Sequence, residues 1–248
     1  MRAAVYTGNA KVEVQDIAMP ELGPGEILIR VESCGICHTD LKKIEHDLLA
    51  PPRVYGHETA GVVSAVGSCV TKYRAGDRVI VFHHIPCKKC FYCERKLYAQ
   101  CDVYKKVGVT AGFEPAGGGF SQYVRVMDWI VEAGVEKIPD GVSFDQACFV
   151  EPVNTCVKAF HEIKPQPGEV LCVLGQGPIG LIFTMLGKRA GLSMYTTDPF
   201  VSRRKMSRHF GAVDSFDPLA QDADLEAAVR KATSGRGADI VIVAASAP

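Results

Sequence analysis

The chain has 248 residues, 47% of them apolar, and its 28 lysines and arginines balance 28 aspartates and glutamates, so the formal net charge is zero. That length holds two domains or one large one, and the apolar share is enough for a real core. Neutrality argues against a nucleic-acid surface or an anionic membrane as partner, and no apolar run approaches the ~20 residues of a membrane helix.

The start, Met1 to Gly8, has no charged segment ahead of a long apolar one, so no secretory signal is read there. From Met1 to about Val131 short runs rich in Val and Ile are cut by glycine and proline. Glu26–Val31, Gly61–Val66, Arg78–Val81 and Tyr123–Val126 are such runs, and their spacing predicts an all-β barrel or sandwich. Within this half, Cys37 stands before a hydroxyl at Thr39, and His57 stands beside Glu58. Taken singly these read as readily as a core thiol and a surface pair. Cys87, Cys90, Cys93 and Cys101 then follow at a spacing suited to a closed tetrahedral zinc site. With ten cysteines clustered this way, metal is favoured over disulfides, and a reducing, cytoplasmic compartment is expected. Cys69, Cys148, Cys156 and Cys172 read as core thiols.

The pattern changes near Glu151-Pro152, which adds a further carboxylate. After Pro165-Gln166-Pro167-Gly168 strands and helices alternate. Strands are expected at Val170–Leu174, Ser193–Thr197, Val213–Phe216 and Asp239–Ala244. Helices are expected at Pro178–Ala190, about Ser202–Phe210 and about Asp222–Thr233. Alternation with apolar strands indicates a parallel sheet covered on both faces. The first strand-to-helix turn reads Gly175-Gln176-Gly177-Pro178-Ile179-Gly180. In that setting GxGxxG fits a dinucleotide pyrophosphate on a helix N-terminus. Asp198, 18 residues after Gly180, can accept bonds from both ribose hydroxyls and would repel a 2′-phosphate. NAD is therefore the expected cofactor. A glycine-rich turn without a ligand is the alternative; Arg203 lies against adenine or is a solvated helix charge, and Arg204 keeps NADP open.

Taken together, Cys-Gly-Ile-Cys-His-Thr-Asp (34–40), Tyr-Gly-His-Glu-Thr-Ala-Gly (55–61), Gly-Asp-Arg-Val (76–79), the four-cysteine lobe, Glu151-Pro152 and the Gly175–Gly180 loop resemble the zinc-dependent medium-chain dehydrogenases of the alcohol dehydrogenase superfamily. Glu151-Pro152 and the His83-His84 run look most like the sorbitol and threonine dehydrogenase branch. The resemblance covers essentially the whole chain. It implies a GroES-like β-barrel catalytic domain over 1–152 and a Rossmann NAD-binding domain over 153–248. It implies two zinc ions per chain: a structural one on Cys87, Cys90, Cys93 and Cys101, and a catalytic one on Cys37 and His57, with Glu58 and Glu151 contributing directly or through water. Hydride would pass between a secondary alcohol or polyol and NAD. Thr39 would hydrogen-bond the substrate oxygen, and Thr155 would lie near the nicotinamide.

Two departures from the family pattern stand out. Lys42 occupies the position where many relatives carry a proton-relay histidine. The second half supplies four of the six strands of a Rossmann sheet, so a C-terminally truncated domain is expected, and self-association is left open. A catalytically inactive, zinc-stabilised binding protein is the alternative function. His83, His84, His161 and His209 are expected to be structural or solvated.

Overall fold

The computed structural model describes residues 1–103, 109–113, 117–220 and 224–245. The chain divides into two compact units, Met1–Glu151 and Pro152–Pro248.

In the first unit, β1 (Arg2–Gly8), β2 (Lys11–Asp16), β3 (Ile27–Gly35), helix α1 (His38–Glu45), β4 (Arg53–Val54), β5 (Glu58–Val66) and β6 (Arg78–Val81) follow in order. Helix α2 (Phe91–Glu94), β7 (Val109–Thr110), β8 (Tyr123–Val126), α3 (Asp128–Ala133), β9 (Val135–Lys137) and α4 (Phe144–Cys148) complete it. A six-stranded antiparallel sheet runs β7-β8-β3-β5-β6-β9, and a three-stranded one runs β2-β1-β4. Alternation is the reason these runs are strands. Ile27 and Ile29, Val79 and Val81, and Val124 and Val126 all point to one face, where they pack with Val63, Tyr73 and Ile130. Each such side chain gains about 1.5–3 kcal/mol on full burial.

The strands are longer than the apolar runs predict. β3 continues through Ser33, Cys34 and Gly35, and β5 begins at Glu58. The register pairs Gly35 with Glu58 and Cys34 with Thr59. Polar residues are drawn into the ladder because neighbouring strands satisfy their backbone groups, an effect that local composition does not reveal. That register decides the position of the chemistry. Cys37 leaves the end of β3 beside the point where His57 enters β5.

The second unit holds most of α5 (Val150–Ile163), then β10 (Val170–Leu174), α6 (Pro178–Arg189), β11 (Ser193–Thr197), α7 (Val201–His209), β12 (Asp214–Phe216), α8 (Leu225–Ala232) and β13 (Ile240–Val243). The sheet is parallel throughout, in the order β12-β11-β10-β13. Numbered from the first strand of this sheet, that is 3-2-1-4, the order of the first half of a doubly wound fold. β10 is buried on both faces. Leu171 and Val173 pack with Cys156, Ile182 and Phe183, whereas Val170 and Cys172 pack with Val229 of α8. Residues 222 and 223 of the expected last helix, and residues 246–248 of the chain end, lie outside the described residues. Among the described residues no helix is long and apolar enough to cross a membrane.

Candidate metal and dinucleotide sites

Among the described residues two clusters bring together metal-binding side chains, and in each one ligand atom per residue lies within 4.8 Å of the others. The first is Cys87, Cys90, Cys93 and Cys101. A tetrahedral zinc with four Zn–S bonds of about 2.3 Å sets its sulfurs about 3.8 Å apart, and Cys87 Sγ lies 4.0 Å from Cys93 Sγ. The Cys87 N–H donates to Cys101 Sγ at 3.3 Å. Backbone hydrogen bonds from Asp102 and Cys93 pull the Cys90 thiol down to about 6, while desolvation pushes Cys93 up to about 12. Four thiols crowded together in this way divide protons unequally until a cation replaces them. The donor set fits zinc.

The second cluster is Cys37, His57 and Glu58. Its geometry is organised by a residue that motif reading passes over. Asp40, in the first turn of α1, is only 1% exposed. The His57 Nδ1–H donates to its Oδ1 at 3.1 Å, the Gly56 N–H approaches the same oxygen at 3.4 Å, and the Cys37 N–H donates to Oδ2 at 3.2 Å. With Nδ1 committed to Asp40, Nε2 is the nitrogen left for a metal. Burial opposes a charge on His57, yet hydrogen bonds to Asp40 and Cys37 outweigh it and lift the imidazole to about 10. The Cys37 thiol is lowered, first by its hydrogen bond with His57 and also by the backbone and hydroxyl of Thr39. Burial raises both Glu58 and Glu151, and the charge of Glu151 adds to the rise at Glu58. A thiol and three carboxyl groups thus act on one imidazole, a donor set suited to a divalent cation. Glu151 influences Glu58 by its charge but is not part of the cluster of three.

The run Gly117–Gly119 supports this loop. Gly119 N–H donates to Gly56 O at 3.0 Å and Phe120 N–H to Tyr55 O at 2.9 Å. Gly56 has φ +93, and a Cβ there would meet the Phe120 ring at 2.6 Å, so only glycine fits just before His57. His83 stands outside both clusters and packs beside the second. Its ring lies 4.8 Å from the His57 ring and 3.9 Å from that of His84. Burial, with the charges of His84, His57 and Lys43, holds His83 neutral, down to about 2. Cys69 is exposed, which overturns its reading as a core thiol; Cys148, Cys156 and Cys172 are buried. Cys69 sits in the turn after β5, where Val70 faces the core instead.

In the second unit the glycine loop joins β10 to α6, with Gly177 as the residue before the helix and Pro178 as its first. A Cβ on Gly180 would run into Gly175 O, whereas one on Gly177 would stand in open space over the helix N-terminus. Gln176 is fully buried. Its N–H donates to Asp198 Oδ2 at 2.9 Å, its Nε2 to Gly175 O at 3.0 Å, and its Oε1 accepts from Thr184 at 3.0 Å. The Phe200 N–H donates to Asp198 Oδ1 at 2.8 Å. Asp198 is therefore fixed at the tip of β11, and each oxygen keeps a second lone pair. Arg203 lies 3.6 Å from Asp198 and over the Phe200 ring. Arg204 is committed elsewhere, donating to the carbonyls of Asp198 and Pro199 and pairing with Asp217 at 3.0 Å. Thr155 is exposed on α5, next to the buried Cys156.

Comparison with known proteins gives consistent matches. Residues 23–140 match the alcohol dehydrogenase GroES-like domain. A sorbitol dehydrogenase of Bacillus subtilis (strain 168) is 30% identical over 254 residues, an alignment spanning 100% of this chain and 69% of the relative. The crystal structure of 2R,3R-butanediol dehydrogenase from Bacillus subtilis superposes with a TM-score of 0.82 at 29% identity, covering 100% of this chain and 71% of that one. Acetophenone reductase from Geotrichum candidum NBRC 4597, in complex with NAD, has a TM-score of 0.77 at 27% identity, covering 89% and 64%.

Replacing Asp40 with asparagine keeps the shape but removes the charge behind His57. Competition with a chromophoric chelator should show zinc at the Cys37 cluster weakened by about 10–100-fold, with the four-cysteine lobe unaffected. Unchanged affinity would remove Asp40 from its positioning role.

Proposed function

We propose, because the chain belongs to the zinc-dependent medium-chain dehydrogenase family of the alcohol dehydrogenase superfamily, that it moves a hydride between NAD and a secondary alcohol or polyol. The observation that carries this reading is the Cys37–His57–Glu58 cluster, with the second imidazole nitrogen tied to Asp40. A closed four-thiolate site alone would fit a binding protein. A mixed sulfur, nitrogen and oxygen set leaves a coordination position for substrate. The relatives carry dehydrogenase and reductase names, which does not favour an inactive binding module.

Two zinc ions per chain are proposed, one on Cys87, Cys90, Cys93 and Cys101 and one on Cys37, His57 and Glu58, with Glu151 acting directly or through water. Zinc, when bound, supplies a Lewis acid that lowers the pKa of an alcohol or polarises a carbonyl, and the nicotinamide supplies the two-electron carrier. The rest is done by side chains. Thr39 projects from the first turn of α1 and is exposed. Its hydroxyl is beside Cys37, so it can accept the substrate's proton and pass it on. Help of this kind is worth roughly 10²–10⁴ in rate. Glu58 and Glu151 have carboxyls raised above the usual carboxylate range, first by burial, which makes each a readier proton holder than a free carboxylate. Asp40 keeps the Nδ1 proton in place throughout.

On the cofactor side, the free N–H groups at the start of α6 take the pyrophosphate along Gly175, Gly177, Pro178, Ile179 and Gly180. Asp198 takes the ribose hydroxyls. Arg203 is half-exposed beside Asp198 and covers the adenine, and Thr155 contacts the nicotinamide. The Arg204 guanidinium is already held by two carbonyls and Asp217, which takes it away from a 2′-phosphate, and the Asp198 carboxylate would repel one. NAD is preferred for that reason. The polyol class is supported by likeness to the sorbitol and butanediol dehydrogenases.

The test is reduced-cofactor formation from D-glucitol and 2,3-butanediol. NADH should appear with either or both, cease after chelation and return with zinc. Asp198→Ala should narrow the preference for NAD over NADP, measured as the ratio of kcat/KM values. Turnover that survives complete zinc removal, or an unchanged cofactor ratio, would contradict the corresponding half of this reading.

A further inference from the structure

Helix α1 carries more than Thr39 toward the metal cluster. Thr39 and Lys43 are four residues apart, so their side chains share one face with Cβ atoms about 5–6 Å apart. Lys43 Nζ lies 5.9 Å from the centre of the Tyr55 ring. Tyr55 itself is 2% exposed and immediately precedes Gly56-His57. Its ring, two residues along the chain from His57, is therefore held in place, and the ammonium of the half-buried Lys43 lies over it. The electrostatic effect of Lys43 on His83, whose ring touches that of His57, places the charge on the same side. Lys42, the next residue along, is exposed.

Lys43 has no carboxylate partner within ion-pair distance among the described residues. The acids nearest to it in sequence are engaged elsewhere. Asp40 serves His57, Gly56 and Cys37, and Asp47 accepts from the Tyr6 hydroxyl and the Asn9 N–H. An ammonium over an aromatic face, one turn beyond the substrate-side hydroxyl and with no carboxylate at ion-pair distance among the described residues, is arranged to receive an anion from outside.

We propose that Lys43 selects an anionic substrate: its ammonium binds the carboxylate or phosphate of a sugar-derived polyol while a hydroxyl of the same molecule reaches Thr39 and the Cys37–His57–Glu58 cluster. The proposal rests on the dehydrogenase reading and narrows its substrate. Lysine suits the task because it is a compact point charge with three donors on a flexible stem, able to meet either oxyanion. The nearby carboxyls of Glu58 and Glu151 would repel such a substrate, and the ammonium offsets that repulsion at the far end of the molecule. A neutral polyol leaves the charge uncompensated. Lys43 is a binding and specificity residue here and carries no proton in the reaction.

The experiment compares D-glucitol, D-glucitol 6-phosphate and D-gluconate on the intact zinc-loaded protein, by steady-state kinetics with NAD and by calorimetric binding in the presence of NADH. Wild-type protein should favour at least one anion over D-glucitol. Lys43→Met should raise the KM and Kd for that anion by roughly ten- to a hundredfold, with kcat and the constants for D-glucitol changed less than about threefold. Lys43→Arg should restore most of the affinity, and Lys11→Met, at an exposed lysine of β2, should change nothing. The arm that responds identifies the oxyanion. Equal binding of neutral and anionic polyols by the wild type, or parallel losses for both in Lys43→Met, would overturn the proposal. If D-glucitol is oxidised and Lys43→Met is silent, the substrate class falls and the dehydrogenase reading stands. If no alcohol is oxidised but anion binding is lost in Lys43→Met, the site stands and that reading falls.

Discussion

The buried carboxylate of Asp40 is the point on which the reactive half of this molecule depends. It accepts the Cys37 N–H, the Gly56 N–H and the His57 Nδ1–H at once, linking the two segments that carry the metal-binding side chains. Leaving any of those donors unmet in a buried loop would cost about 1–3 kcal/mol. Satisfied together, they fix the ring plane of His57 and the start of α1. A buried charge is tolerated there because it is paired with His57 and fully hydrogen-bonded. The remainder of the site follows from that anchor: Nε2 turned away from Asp40, Cys37 beside it, and Thr39 and Lys43 on the same helical face.

The two cysteine-containing clusters offer a metal ion two different settings. In the lobe around Cys87, four sulfurs lie within 4.8 Å of one another, a set that would fill all four positions of a tetrahedral metal and leave none for a reactant. Around Cys37, one sulfur, one imidazole and one carboxylate meet where β3 ends and β5 begins. The register Gly35–Glu58 brings them together. A slip of one residue in that pairing would exchange the faces that Glu58 and Thr59 occupy, so the chemistry depends on the same alternation of Ile and Val that builds the sheet.

Much of this was legible in the sequence, though unevenly. The Rossmann half was readable because its signals are local: apolar strands, a glycine turn and a proline opening α6. Helix ends shifted by a residue or more, as between the expected start at Ser202 and the observed Val201, because terminal turns are set by capping contacts. In the first half, α1 escaped notice. Its sequence His-Thr-Asp-Leu-Lys-Lys-Ile-Glu is polar, and its one buried residue is Asp40, so it has no apolar stripe to announce a helix. The importance of Asp40 and Gln176 was hidden for a related reason. Each stood inside a recognised motif as a position between the residues that define it, and its value lies in hydrogen bonds that only the fold creates. Cys69 misled because a thiol near Val62, Val63 and Val66 reads as apolar, whereas the turn carries it outward.

Zinc-edge anomalous diffraction from crystals of the zinc-loaded protein tests the central claim most directly. Two peaks per chain are expected. One should lie among the sulfurs of Cys87, Cys90, Cys93 and Cys101, and the other within bonding distance, about 2.0–2.3 Å, of Cys37 Sγ and His57 Nε2. A single peak confined to the four-cysteine lobe, with His57 turned to Asp40 and no metal beside it, would contradict a working metal at this site.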